Sequence, residues 1–173
     1  ALAGALAHRL DTGTSGVLLA ARSLDAWTAL RAAFRARAVT KHYLALVHGT
    51  PPSEVQVDLP LSHDPADRRR MAPARPGRRS WPARSTIRRL ASDDRTSLVA
   101  VTMETGVTHQ IRVHLASIGH PVLGDALYGV PTPRLARGRH ALHAATLVLP
   151  ALDGRDPLTI ASPLARDLEP LVP

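Results

Sequence analysis

The sequence predicts an α+β fold: a mixed, largely antiparallel central sheet with flanking helices, in one domain over residues 1–173. Strand-like and helical segments follow one another without a regular strand–helix–strand alternation, which disfavours a doubly wound parallel sheet. The chain has 173 residues, 45% of them hydrophobic, enough for one buried core and too apolar for disorder throughout. A stretch rich in arginine and proline, about 60–84, has little periodicity and belongs on the surface.

The elements follow in order. Gly16–Ala21 is a short apolar run after a turn rich in glycine and hydroxyls, and reads as a strand. Ser23 can cap a helix from Leu24 to about Ala38, whose Leu24, Trp27, Leu30 and Phe34 recur at helical spacing. Thr40–His48 alternates as a strand and ends at Gly49-Thr50-Pro51-Pro52. Pro60–Pro82 carries five prolines and many arginines, so it is a surface loop or ribbon. Thr86–Leu90 and Ser97–Glu104 form two strands joined by a turn at Ser92-Asp93-Asp94. Val107–Ile118 is helical, with Val107, Ile111, Leu115 and Ile118 on one face and Gly119 as its stop. His120–Gly129 is a glycine-bounded loop. Ala141–Leu149 and Leu158–Ala161 are strands, and Leu164–Leu171 is a short helix.

Charge points to an anionic partner. The net charge is +8, and Lys41 is the single lysine beside 21 arginines. Such an excess favours nucleic acid first and an acidic membrane surface second. The chain has no cysteine, which excludes disulfide scaffolds and thiol catalysis. That usage is compatible with a reducing compartment, and a cytoplasmic location is expected. No apolar run approaches the roughly 20 residues that span a bilayer. Residues 1–7 lack the basic flank of a secretory signal.

Two segments are dense in chemistry. In His8-Arg9-Leu10-Asp11-Thr12-Gly13-Thr14-Ser15-Gly16 an acid, a guanidinium, hydroxyls and glycines share one turn before a strand. Asp11 there acts as a nucleophile if a cation keeps it ionised, or merely organises its turn. In Thr105-Gly106-Val107-Thr108-His109-Gln110-Ile111-Arg112-Val113-His114, Arg112 can hold a carboxylate or phosphate through its fork, or the helix simply has a wet polar side. His109 and His114 stand five residues apart, on different faces of a helix and without an acidic ligand between them, so no metal site is expected. Tyr43 is a core aromatic or a stacking face for a base. Arg68–Arg89 contains nine arginines and no acid, a solvated loop or a contact for a phosphate backbone. No G-x-G-x-x-G, P-loop or G-x-S-x-G motif occurs.

His8-Arg9-Leu10-Asp11 followed by Thr14-Ser15-Gly16 resembles the signature of the RluA-type pseudouridine synthases. So does Gly106 with Thr108 to His114, continued by Gly119-His120-Pro121, Gly124-Asp125 and Tyr128-Gly129. Lys41-x-Tyr43-x-Ala45-x-Val47-x-Gly49 matches the family's tyrosine segment, in order between the other two, and Leu142-His143-Ala144 also fits. The resemblance implies isomerisation of uridine to pseudouridine in ribosomal or transfer RNA, without cofactor or metal. It places the catalytic aspartate on Asp11, the base-facing tyrosine on Tyr43 and the paired arginine on Arg112. It assigns Arg9 to displacing the base. RNA or base contacts are expected from Thr14, His109, Gln110 and Ile111, and from Arg68, Arg69 and Arg70.

The sequence departs from the family's pattern at Thr12 and Val107, where a basic residue is usual. It also lacks the earlier Lys-Pro-x-Gly segment, as a fragment or minimal form would. Loss of that segment would expose a sheet edge near Gly16–Ala21, so the expected monomer would be prone to self-association. The alternatives to an isomerase are a catalytically impaired RNA-binding relic of the same family, and a hydrolase or metal enzyme built on Asp11, His109 and His114.

Overall fold

The computed structural model describes residues 5–152 and 154–173. Two short strands, β1 (Ala5–Leu6) and β3 (Ala20–Ala21), pair antiparallel and bracket β2 (Ser15–Gly16) in sequence. Helix α1 (Leu24–Arg35), β4 (Thr40–His48) and β5 (Glu54–Asp58) follow. Next come the hairpin of β6 (Leu61–His63) and β7 (Met71–Pro73), the long strands β8 (Arg84–Ser92) and β9 (Thr96–Met103), and helix α2 (Gln110–Ser117). The last strands are β10 (Leu142–Leu149) and β11 (Leu158–Ala161). The main sheet runs β11-β10-β4-β9-β8-β5 with antiparallel neighbours, and β2 adds a parallel pairing to β10. This is the mixed, largely antiparallel α+β sheet expected from the sequence. No helix among the described residues is long and apolar enough to cross a membrane.

Alternation builds the sheet. Along β9, Ser97, Val99, Val101 and Met103 are buried and their neighbours are half-buried. Val99 and Val101 join Tyr43, Ala45, Ile87 and the α2 residues Ile111 and Leu115 in the largest core. Each fully buried aliphatic there contributes roughly 1.5–3 kcal/mol. A second core lies under α1, where Ala33 meets Val17, Val39, Leu147 and Leu149, with Leu30 and Phe34 packed against it. Leu24, expected on that stripe, is instead 60% exposed.

Four expectations need correction. Gly16–Ala21 is not one strand. Gly16, at φ 115°, presses against the Ala144 backbone where a Cβ would collide, and the chain then leaves β10 to pair Ala20 and Ala21 with β1. Helix α1 stops before Ala38 because Arg37 turns left-handed, at φ 58°. Helix α2 starts three residues later than expected, because His109 is also left-handed, at φ 56°. Leu164–Leu171 yields only a 3-10 turn at Glu169–Leu171, between Pro163 and Pro173 and containing Pro170, which has no N–H to give. The sequence reading also missed β5, whose Val55 and Val57 alternate with polar residues and pair with Ile87 and Ser85. The Arg/Pro-rich stretch is a ribbon in part, the hairpin of β6 and β7.

Candidate active site

Three distant segments meet at one cleft of about 490 Å³, lined by Asp11, Tyr43, His109, Arg112 and Leu142 among others. Asp11 sits in a tight turn closed by the Thr14 N–H donating to the Asp11 carbonyl at 2.9 Å. The turn requires Gly13, whose φ is 87° and whose Cα lies against the Gly138 carbonyl, leaving no room for a Cβ. Tyr43 comes from the middle of β4, between Ala144 and Val101 of the neighbouring strands. Arg112 comes from the first turn of α2.

Helix α2 has no wet side over its first six residues. Six successive residues, Gln110 to Leu115, are buried, so its polar groups need internal partners. Gln110 uses its whole amide: Nε2 donates to the Arg84 carbonyl and Ser85 Oγ, and Oε1 accepts from Thr105 Oγ1 and Val107 N–H. That removes its side chain from the expected base contacts and makes it the brace that starts the helix. His114 is bonded to Ser85 Oγ and to the Leu59 carbonyl, well away from His109, which is bonded to Tyr128.

Arg112 is held by two carboxylates. Nε and Nη2 donate to Asp125 at 2.6 and 2.8 Å, and Nη1 donates to Asp11 at 3.3 Å. Asp125 is fully buried and also accepts the Leu127 and Tyr128 N–H groups. Burial alone would raise the Asp125 carboxyl, but the bonds and charge of Arg112 outweigh it and hold Asp125 below the usual carboxylate range. Burial works against the Arg112 guanidinium too, and Asp125 more than compensates. Asp125 thus orients the fork, and Nη1 is what remains for Asp11.

Burial shifts the aromatic and imidazole groups around Asp11 toward their neutral forms. Burial, then the Asp11 charge, pushes the Tyr43 phenol up to about 12. Burial lowers His109 against the pull of Asp11. The Tyr128 hydroxyl accepts the Met71 N–H at 2.7 Å and is bonded to His109 Nδ1 at 2.7 Å. His109 Nε2 faces Asp11 at 4.0 Å. Burial, reinforced by the Arg112 charge, lowers His140 to about 4.

A second set of side chains pins the turn from outside. His140 Nε2 meets Thr14 Oγ1 at 2.7 Å, and His143 Nδ1 meets Ser15 Oγ at 2.9 Å. Arg139 donates to the Gly13 carbonyl at 2.6 Å and to Ser15 Oγ at 2.9 Å, and is held in turn by Asp167 at 2.8 Å. Thr14, expected to touch RNA, therefore has its hydroxyl engaged with His140. Ile111 is buried and lines the cleft, and Arg9 is exposed at its rim.

Arg68, Arg69 and Arg70 lie outside that lining, on the turn before β7. Their charge is not as unbalanced as the run suggested. Arg69 pairs with Asp67 at 2.7 Å and Arg70 approaches Asp64 at 4.0 Å, both acids lying just before the run. Arg70 also stands 5.2 Å from the Tyr128 ring centroid, with Arg112 at 5.1 Å.

Asp125, Tyr128, Arg139 and His140 received no role from the sequence alone. Asp125 had a usable signal, because a lone carboxylate within Pro121-Val122-Leu123-Gly124-Asp125-Ala126-Leu127 must be buried and paired. Arg139 had none, since its partners are carbonyls, the Ser15 hydroxyl 124 residues away and an acid 28 residues away.

The chain is similar to known proteins. A family model described as RNA pseudouridylate synthase matches residues 4–117. The chain is similar to the ribosomal large subunit pseudouridine synthase D of Nitrosomonas europaea, 40% identical over 174 residues, covering 96% of this chain and 50% of that protein. It is similar to the dual-specificity RNA pseudouridine synthase RluA of Escherichia coli, 38% identical over 143 residues, covering 82% of this chain and 65% of that protein. Among solved structures, human RNA pseudouridylate synthase domain containing 1 superposes with a TM-score of 0.80 at 30% identity, covering 92% of this chain and 69% of that one. The chain spans about half the length of the curated relatives it matches.

Proposed function

The chain belongs to the RNA pseudouridylate synthase family, in its RluA-type branch, and we propose that it isomerises specific uridines of structured ribosomal or transfer RNA to pseudouridine. The observation that carries this proposal is the Asp11 carboxylate facing the Arg112 guanidinium at 3.3 Å in a cleft that Tyr43 also lines.

The reaction breaks the bond from uracil N1 to ribose C1′, turns the base and joins C5 to C1′. The proton on C5 is lost and N1 gains one. An ionised carboxylate serves this chemistry by attacking the base, by attacking the sugar, or by taking a ribose proton. In each case the Arg112 guanidinium stands against the Asp11 carboxylate at 3.3 Å. Asp125 keeps that guanidinium aimed. The target base must leave its stack, at a cost of a few kcal/mol, which favours loops over duplexes. Tyr43 offers a stacking face worth roughly 1–3 kcal/mol. Its phenol, held up near 12, stays neutral beside the carboxylate. Arg9 at the rim is suited to the gap left by the flipped base, and Arg68 adds a phosphate contact from the hairpin.

The test is nucleoside analysis of structured RNA incubated with the protein, wild type against Asp11→Asn. Pseudouridine is expected from the wild type and none from Asp11→Asn, with RNA affinity nearly unchanged. Substantial product from purified Asp11→Asn sinks the proposal. RNA binding by the wild type without any product would favour the relic.

A further inference from the structure

The cleft holds an imbalance that the Asp11 chemistry does not use. Its lining contains Arg9, Arg31, Arg35, Arg37, Lys41 and Arg112, but Asp11 is its one carboxylate among the described residues. Arg112 is consumed by Asp125 and Asp11. The other five have no carboxylate within 4.0 Å among the described residues, and, unlike the arginines elsewhere that also lack one, they line a single concavity.

The local backbone points the same way. Helix α1 closes with the Arg37 N–H on the Phe34 carbonyl and the Ala38 N–H on the Ala33 carbonyl. That is a Schellman ending, and Arg37 occupies its left-handed position, at φ 58°, where glycine is favoured. A cationic side chain is kept there against local preference, a pattern found at functional sites. Lys41 follows at the start of β4. Its ammonium donates to the Thr105 carbonyl at 2.9 Å and rests over Gly106, leaving two of its N–H groups without a protein partner among the described residues. Burial and then the charge of Arg37 weaken its hold on its proton, as expected for like charges gathered without a counter-ion.

We infer that Arg35, Arg37 and Lys41, flanked by Arg31 and Arg9, form the wall of the cleft that takes the phosphodiester backbone beside the flipped uridine. The partner is a strand of RNA rather than a membrane, because these cations line a concavity with Asp11 in it, and a flat anionic surface cannot enter one. This rests on the proposed action on RNA. It shifts the main backbone contact from the arginine run before β7, where two of three charges are already answered, to the end of α1.

The test compares two variants of equal charge. Arg35→Gln/Arg37→Gly removes two cations from the wall. Arg88→Gln/Arg95→Gln removes two exposed cations from β8 and the β8–β9 turn, away from the cleft. Binding of a short labelled single-stranded RNA containing uridine is followed by anisotropy over a range of salt concentrations, and pseudouridine formation by the wild type is scored in parallel. The wall variant should lose about 0.7 in log–log salt slope per phosphate contact, about 1.4 in all, while the other variant keeps the wild-type slope. Thermal melting guards against misfolding, since glycine suits the Arg37 backbone and the wall variant should melt no lower than the wild type. An unchanged slope in the wall variant, or an equal loss in both, overturns the inference. Wild type that binds no RNA overturns it together with the proposed activity. Wild type that binds RNA with the expected slopes but makes no pseudouridine leaves the wall standing and refutes only the chemistry.

Discussion

Asp125→Asn tests whether the buried pair, rather than Asp11 alone, organises the cleft. Asparagine keeps the shape and removes the charge. It leaves a guanidinium that is 5% exposed with Asp11 at 3.3 Å as its remaining anionic partner. It also turns one acceptor into an N–H that opposes an arginine N–H. Breaking a buried pair costs roughly 3–5 kcal/mol, and one surviving acceptor puts this case near the lower end, about 3 kcal/mol. With a urea slope of about 2 kcal/mol/M, the unfolding midpoint at pH 7 should fall by about 1.5 M. Pseudouridine formation by the folded fraction should fall as well, because nothing then fixes the direction of Nη1. Replacing both partners, as Arg112→Met/Asp125→Leu, should recover part of the stability and none of the activity. An Asp125→Asn midpoint within about 0.3 M of wild type would refute the reasoning, since it would mean a stability change under 1 kcal/mol.

Arg112→Lys keeps the charge but replaces a planar fork that serves two carboxylates with a single ammonium. The rate at saturating RNA should fall at least tenfold while RNA affinity changes little, and a wild-type rate would show that the fork is dispensable. Acid should destabilise the fold through His140, whose folded value of about 4 lies below its ordinary 6.5. The neutral form is the one the fold favours, so this contribution is complete above pH 6.5 and disappears as pH falls toward 4, a loss of about 3 kcal/mol. Urea unfolding at steps between pH 7 and pH 4 should show that decline, and His140→Gln should flatten it; an equally steep decline in His140→Gln would refute the assignment.

Much of the fold was legible because its signals are local. Thr40–His48 and Leu158–Ala161 match the structure residue for residue, since each is an alternating run bounded by turn residues. The misses are places where a distant contact overrides a local pattern. Gly16–Ala21 is apolar enough for one strand, yet the Ala144 backbone takes its first residue and β1 its last two. Val107–Gln110 is periodic enough for helix, yet the Gln110 amide bonds Thr105 and Val107 and the helix begins at Gln110. The residue types around Asp11, Tyr43 and Arg112 left a structural role open for each, the resemblance joined the three as one set, and the structure gathers them into one cleft. The groups that hold them in place, Asp125 and Arg139, make bonds that no spacing encodes.

The anchoring of the Asp11 turn also sets when the cleft can exist. β2 lies beside β10, and the turn is pinned by Arg139, His140 and, through Arg139, Asp167. Asp11 leaves the ribosome more than a hundred residues before those partners, and closing so long a loop is entropically costly until other contacts have formed. The α1 wall and the antiparallel body from β4 to β9 can assemble first, from shorter-range contacts. A nascent chain would then present a basic surface to RNA before its carboxylate is in place. On the proposed activity, binding would precede chemistry during synthesis, because the Asp11 turn is fixed only once residues 139–167 have folded.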